Sequence, residues 1–141
     1  MRIICIGSLK DKFSILEKDY IKKINKFTKF EIIELKESSG NSKEEIIKKE
    51  EKLIIPKLKN NIIILSEEGK NISSREFSEL IKENITFVIG SSYGLSENVK
   101  KQGKLISLSK MTFNHQLARI ILLEQIYRSY CIIKNLPYSR N

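Results

Sequence analysis

Residues Asn61–Ser96 read NIIILSEEGKNISSREFSELIKENITFVIGSSYGLS. Two short, continuous apolar runs, Asn61–Leu65 and Ile85–Ile89, carry no polar alternation, which marks strands covered on both faces. Between them lies the charged stretch SEEGKN, read as a turn, and then Ser73 or Ser74, either of which caps a helix running to about Ile81. After the second run, Gly90–Ser96 is a loop rich in glycine and serine, and Ser96 caps a short helix to about Gln102.

The same alternation continues in both directions. Toward the N-terminus, Arg2–Gly7 is a buried strand, and residues 12–26 place Phe13, Leu16, Tyr20, Ile21 and Ile24 at helical spacing. Phe30–Leu35 is a second strand. Ser42 and Glu45 have the spacing of a capping box before a Glu/Lys-rich helix that ends near Pro56. Toward the C-terminus, Leu105–Leu108 is a short fifth strand and Phe113–Ile133 is the most apolar helix. Five strands alternating with helices predict an α/β domain with a mainly parallel sheet and helices on both faces. The 141 residues fit a single domain spanning 1–141.

Apolar residues make up 40% of the chain and charged residues 30%, the balance of a globular protein. No run approaches the length of a membrane span, and the basic-apolar start MRIICIG leads directly into a charged helix pattern. The expectation is a cytoplasmic protein without a membrane partner. Cys5 and Cys131 lie in apolar segments without CxxC partners, as small buried hydrophobes and not metal ligands.

The formal charge is +9, and the excess is uneven. From Asn98 to Asn141 stand eight basic residues (Lys100, Lys101, Lys104, Lys110, Arg119, Arg128, Lys134 and Arg140) against Glu124 alone. Such a region attracts polyanions, and it also fits a solvated lysine-rich surface. Along the last helix, Leu117, Ala118, Ile120, Ile121, Leu122, Leu123, Ile126, Tyr127, Tyr130, Ile132 and Ile133 cover nearly the whole circumference. One face can pack on the sheet, and the other predicts an apolar surface covered by a homodimer or, alternatively, by the C-terminal tail.

Ligands of open α/β sheets bind beyond the carboxyl ends of the strands. Three loops lie there: Ser66–Asn71, Gly90–Ser96 and Ser109–Thr112. The glycine loop lacks both the dinucleotide spacing and the P-loop lysine. His115 is the only histidine and stands four residues before Arg119, so both project from one helical face. No Ser-His-Asp set or metal cluster can be assembled around it. Glu124 and Arg128 form a second pair at this spacing. In the tail, Pro137 stops the helix, Tyr138 is suited to stack on a base and Arg140 to contact phosphate.

The segment ISLSKMTFNHQLARIILLEQIYRSY, Ile106–Tyr130, closely resembles the ribosomal large-subunit methyltransferase H family, the 23S rRNA pseudouridine N3-methyltransferases. The strand ending in IGSLK, the IGSSYGLS loop and the terminal PYSRN match in order, so the resemblance covers essentially the whole chain. It implies a SPOUT domain with a C-terminal trefoil knot that works as a homodimer. It also implies S-adenosylmethionine as the methyl donor, no metal, and as substrate N3 of a pseudouridine in 23S rRNA of the assembled ribosome. Carried over by position, the cofactor-binding residues are Leu65, Gly90, Leu108, Ser109, Lys110, Met111, Thr112 and Phe113. Tyr138, Arg140 and His115 are the catalytic candidates, and Lys100, Lys101 and Lys104 face the RNA backbone. The chain departs from the family pattern at Ser91 (glycine expected), Asn114 (proline expected) and Ser139 (histidine expected). Ser91 is expected to narrow the cofactor slot. The alternatives are a catalytically idle RNA- or ribosome-binding protein on the same scaffold, and a SPOUT methyltransferase for another RNA.

Overall fold

The computed structural model describes residues 1–139, with side chains described as far as Tyr138. The elements run β1 (Arg2–Ile6), α1 (Asp11–Ile24), β2 (Glu31–Leu35), α2 (Lys43–Ile54), β3 (Asn61–Asn71), α3 (Ser74–Leu80), β4 (Ile85–Ile89), α4 (Glu97–Lys100), β5 (Lys104–Ser107) and α5 (His115–Ile133). All four strand pairings are parallel, in the order β2-β1-β4-β3-β5.

Period-two alternation divides the apolar residues between two cores. Ile3, Cys5, Ile63, Phe87 and Ile106 face a layer to which α5 contributes Leu122, Leu123 and Ile126 and α3 contributes Phe77. Ile4, Ile6, Ile64 and Val88 face the other layer, with Ile54 of α2 and Val99 of α4. Covering both faces explains why β4 is buried at all five positions.

The helix starts follow their caps. The Ser73 side chain accepts from Glu76 N–H while Glu76 accepts from Ser73 N–H, so both orphan donors are satisfied. At α2 the box is displaced: Ser42 accepts from Glu45 N–H, but the Glu45 carboxylate takes Asn41 N–H and not that of Ser42. Asn114 caps α5 by accepting from Gln116 N–H at 2.9 Å, which accounts for a helix former's cap at a position where proline was expected.

Two sequence expectations change. The stretch Ser66–Asn71, read as a charged turn, belongs to an eleven-residue β3. Ile106 of β5 pairs with Leu65 and, after a register shift, again with Lys70. Charged side chains on that exposed stretch look like a turn in sequence, while the backbone is held by pairing with a strand some 40 positions onward. The second change concerns α5. It lies between α1 and α3, so only Leu117 and Ile133 of the apolar residues named above are exposed. The uncovered apolar face is therefore smaller than expected.

Candidate functional site

A large cleft of about 810 Å³ opens at the carboxyl ends of β3, β4 and β5. It lies within the range of small-molecule sites. Its floor and one side come from three segments: Leu65–Glu68 at the register shift of β3, Ile89–Glu97 after β4, and Ser107–Ser109 with Met111 and Phe113 after β5. His115 and Ala118 at the start of α5 join them. The opposite wall is a helical face of α2: Lys43, Glu44, Ile47, Lys48 and Glu51. Their spacing of four residues puts them on one side of that helix.

Of the cofactor residues expected from sequence, Leu65, Gly90, Leu108, Ser109, Met111 and Phe113 line this cleft. Lys110 and Thr112 are in the same loop but are exposed and do not line it. The α2 face was missed, although its helical spacing was visible in the sequence.

The loops are pinned from within. Gly69 lies against β5 so closely that a Cβ there would stand 2.5 Å from the Ile106 carbonyl carbon. The Ser107 hydroxyl donates to the Ser109 carbonyl at 2.7 Å, and the Ser109 hydroxyl accepts from Met111 N–H at 3.0 Å. In the second loop, Gly94 N–H donates to the Ser91 carbonyl at 3.0 Å. The Ser91 hydroxyl donates to the buried Glu50 carboxylate of α2 at 2.8 Å. Ser91 itself lines the cleft, with its hydroxyl tied to the α2 wall.

The mouth carries Glu44, Glu51, Glu67, Glu68 and Glu97 against Lys43, Lys48 and Lys100. Lys100 spans it, with Nζ 2.9 Å from Glu68 and 3.2 Å from Glu97, and is only 15% exposed. It was expected on RNA phosphate, but those two carboxylates hold it. Lys101 and Lys104 are exposed.

His115 and Arg119 start from one helical face but meet different acids. His115 Nε2 lies 4.0 Å from Glu37 Oε1, and its Nδ1 is buried without a hydrogen-bond partner. Arg119 is 3% exposed. It donates to both oxygens of Glu17, to Glu34 and to the Gly7 carbonyl. It was counted in the positive region, but it is an internal tie between α1, β1, β2 and α5. Burial pushes the Glu17 carboxyl above its ordinary pKa despite the pull of Arg119. Next to this network, burial pushes the Cys5 thiol up to about 12.

Tyr138 does not line the cleft. Its hydroxyl donates to Glu124 at 3.0 Å, its ring meets Tyr127 edge-on at 4.9 Å between centroids, and Arg128 lies over it at 5.0 Å. Arg128 closes on Glu124 at 2.7 Å, the ion pair expected from their spacing. Burial and the Glu124 carboxylate hold the Tyr138 phenol well above its usual pKa. Arg140 lies outside the described residues, and so does the side chain of Ser139.

A family model described as "Predicted SPOUT methyltransferase" matches residues 1–139. The chain is 42% identical over 155 aligned residues to the ribosomal RNA large subunit methyltransferase H of Malacoplasma penetrans, covering 99% of both chains. It is 44% identical over 144 residues to that of Mycoplasmopsis synoviae and 39% over 153 residues to that of Caldicellulosiruptor saccharolyticus, again with 99% of each chain covered. The chain belongs to the methyltransferase H family of SPOUT methyltransferases. Coverage from end to end places the whole cleft, the α2 wall included, within the methyltransferase H family's own length.

The cleft fits the methyl donor of such enzymes on its own chemistry. Ile89, Leu65, Leu108 and Phe113 offer apolar surface for a purine, beside backbone groups at the strand ends. The excess of carboxylates at the mouth suits a ligand bearing a sulfonium charge. The unpartnered His115 Nδ1 is a polar atom still to be satisfied at that wall.

Proposed function

We propose that this chain transfers a methyl group from S-adenosylmethionine to N3 of a pseudouridine in 23S rRNA, acting on the assembled ribosome in the cytoplasm. The observation that carries this reading is the convergence of three separate chain segments, from the ends of β3, β4 and β5, on one cleft in a chain that belongs to the methyltransferase H family over its length. The relatives' names supply the large-subunit RNA as substrate.

When bound, the cofactor supplies an electrophilic methyl group. The chain's own task is alignment. Leu65, Gly90, Leu108, Ser109, Met111 and Phe113 shape the adenosine slot. The α2 face closes the cleft from the far side. His115, with Nε2 4.0 Å from Glu37, is the imidazole on the cleft wall and the candidate to take up the N3 proton. Tyr138 and Arg140 place the base or its phosphates.

Three further elements belong to the same proposal. Residues 1–141 form one SPOUT-type domain. Its C-terminal part is a trefoil knot, a reading that rests on membership of the SPOUT family. The working unit is a homodimer. Tyr138 does not line the cleft of its own chain, which fits a tail supplied by a second copy. The starts of α1 and α5 lie together, joined by Lys10 N–H to Gln116 at 3.0 Å, and leave Ile15, Leu16 and Leu117 exposed there as the apolar surface to cover. Among the described residues no helix is long and apolar enough to cross a membrane, and no group of three or more His, Cys, Asp or Glu could hold a metal.

The test is methyl-labelled S-adenosylmethionine offered with intact ribosomes, separated subunits and deproteinised 23S rRNA. Label in the large-subunit RNA of intact ribosomes is expected, with little on the naked RNA. Failure to bind the cofactor would instead leave an idle ribosome-binding protein. Label on a different RNA would leave another SPOUT activity.

A further inference from the structure

Glu50 of α2 is 2% exposed, and no cation pairs with it among the described residues. Its carboxylate accepts from the Ser91 hydroxyl at 2.8 Å and, more weakly, from Ser38 N–H at 3.4 Å. A buried carboxylate with so few donors depends heavily on each of them. The Ser91 hydroxyl in turn accepts from Tyr93 N–H at 3.3 Å, so it joins the carboxylate to the backbone of the Gly90–Ser96 loop. Glu50 lies on the inward face of α2. Lys43, Ile47 and Glu51 on the same helix line the cleft, while Gly90 and Tyr93 line the side formed by the loop.

We infer that the buried Ser91–Glu50 hydrogen bond is a positioning device that fixes the spacing between the α2 wall and the Gly90–Ser96 loop, and thereby the fit of the cofactor. The glycine expected at position 91 cannot make this bond, so the anchorage comes from this chain's own serine. The inference rests on the cofactor reading above for its consequence, though the latch itself is a property of the free protein.

The experiment is a cycle of Ser91→Ala, Glu50→Gln and the double variant, each checked by thermal melting. Calorimetric titration with S-adenosylmethionine gives affinity, and amide hydrogen exchange of the free protein gives the order of the loop. Ser91→Ala should weaken cofactor binding by roughly tenfold, as when about one tenth of the free protein keeps the loop in its binding position. Exchange at Tyr93 and Gly94 should accelerate. Both effects should shrink in the Glu50→Gln background, where the neutral amide needs the hydroxyl less. Equal cofactor affinity in Ser91→Ala and the parent, or losses that simply multiply in the double variant, would overturn the inference. If the parent itself binds no S-adenosylmethionine, the functional reading fails, and the exchange cycle still decides the latch: coupled acceleration at Tyr93 and Gly94 upholds it, independent effects overturn it.

Discussion

Replacing Gly69 with alanine puts a methyl group where β3 and β5 touch. The new Cβ would stand 2.5, 2.6 and 2.7 Å from the carbonyl carbon, nitrogen and Cα of Ile106. Carbon atoms in contact sit near 3.5 Å, so the strands must part by roughly 1 Å. The obstacle is backbone, and no rotamer change relieves it. Overpacking typically costs about 1–3 kcal/mol, and an immovable neighbour argues for the upper end. For a domain of this size that lowers the melting temperature by about 10 °C. The displacement also reaches function, since Ser66–Glu68 and Ser107–Ser109 flank the contact and border the cleft. A misplacement of this size can cost on the order of a hundredfold in rate. Gly94→Ala is the control. At φ +87° it is strained, but nothing lies within 4 Å of the added carbon, so the cost should stay near 1–2 kcal/mol. Thermal melting and cofactor titration of both variants decide the matter. If Gly69→Ala melts with the parent and binds cofactor equally well, the close approach of β3 to β5 is not what shapes the first and third loops.

Arg119→Met should lower stability by about 3–5 kcal/mol in urea titration, because Glu17 loses its cation within a buried network. Leu123→Ala removes a fully buried side chain of α5 and should cost about 2–5 kcal/mol by the same measurement. The Ser73 backbone bond holds the Glu76 carboxyl below its ordinary pKa. Its contribution is therefore whole above the ordinary carboxylate value and is lost as pH falls through the lowered one. Glu76→Gln should flatten the acid limb of the stability curve below about pH 4. With its pKa near 12, Cys5 should resist iodoacetamide at pH 8 in the folded protein and react on unfolding, as followed by mass spectrometry.

Much of this fold could be read from residue pattern. Ile85–Ile89 is bounded correctly because a doubly covered strand has no exposed positions, and its one polar residue, Thr86, is buried with its hydroxyl donating to the Lys59 carbonyl. The cap at Ser96 is legible as a local hydrogen bond, and the sequence narrows the other to Ser73 or Ser74, of which Ser73 caps α3. What the sequence hides is pairing at a distance. Ser66–Asn71 looks like a turn because its partner, β5, comes much later in the chain. Arg119 looks like surface charge because Glu17 and Glu34 are 102 and 85 positions away. Glu50 was concealed in a helix full of Glu and Lys. Its place midway between Ile46 and Ile54, four residues from each, was the available sign that it faces inward. The cleft's three loops could be located because strand ends are where parallel sheets bind ligands. Their chemistry could not be, since it resides in backbone shape; the resemblance of Ile106–Tyr130 supplied it.

The most direct test of the central claim is the identity of the product. Ribosomes lacking the modification are incubated with the pure protein and methyl-labelled S-adenosylmethionine, and the labelled nucleoside is identified by mass spectrometry. The account predicts N3-methylpseudouridine from 23S rRNA, formed despite serine at position 139. A labelled nucleoside of any other kind, or none from a protein that binds the cofactor, would contradict it.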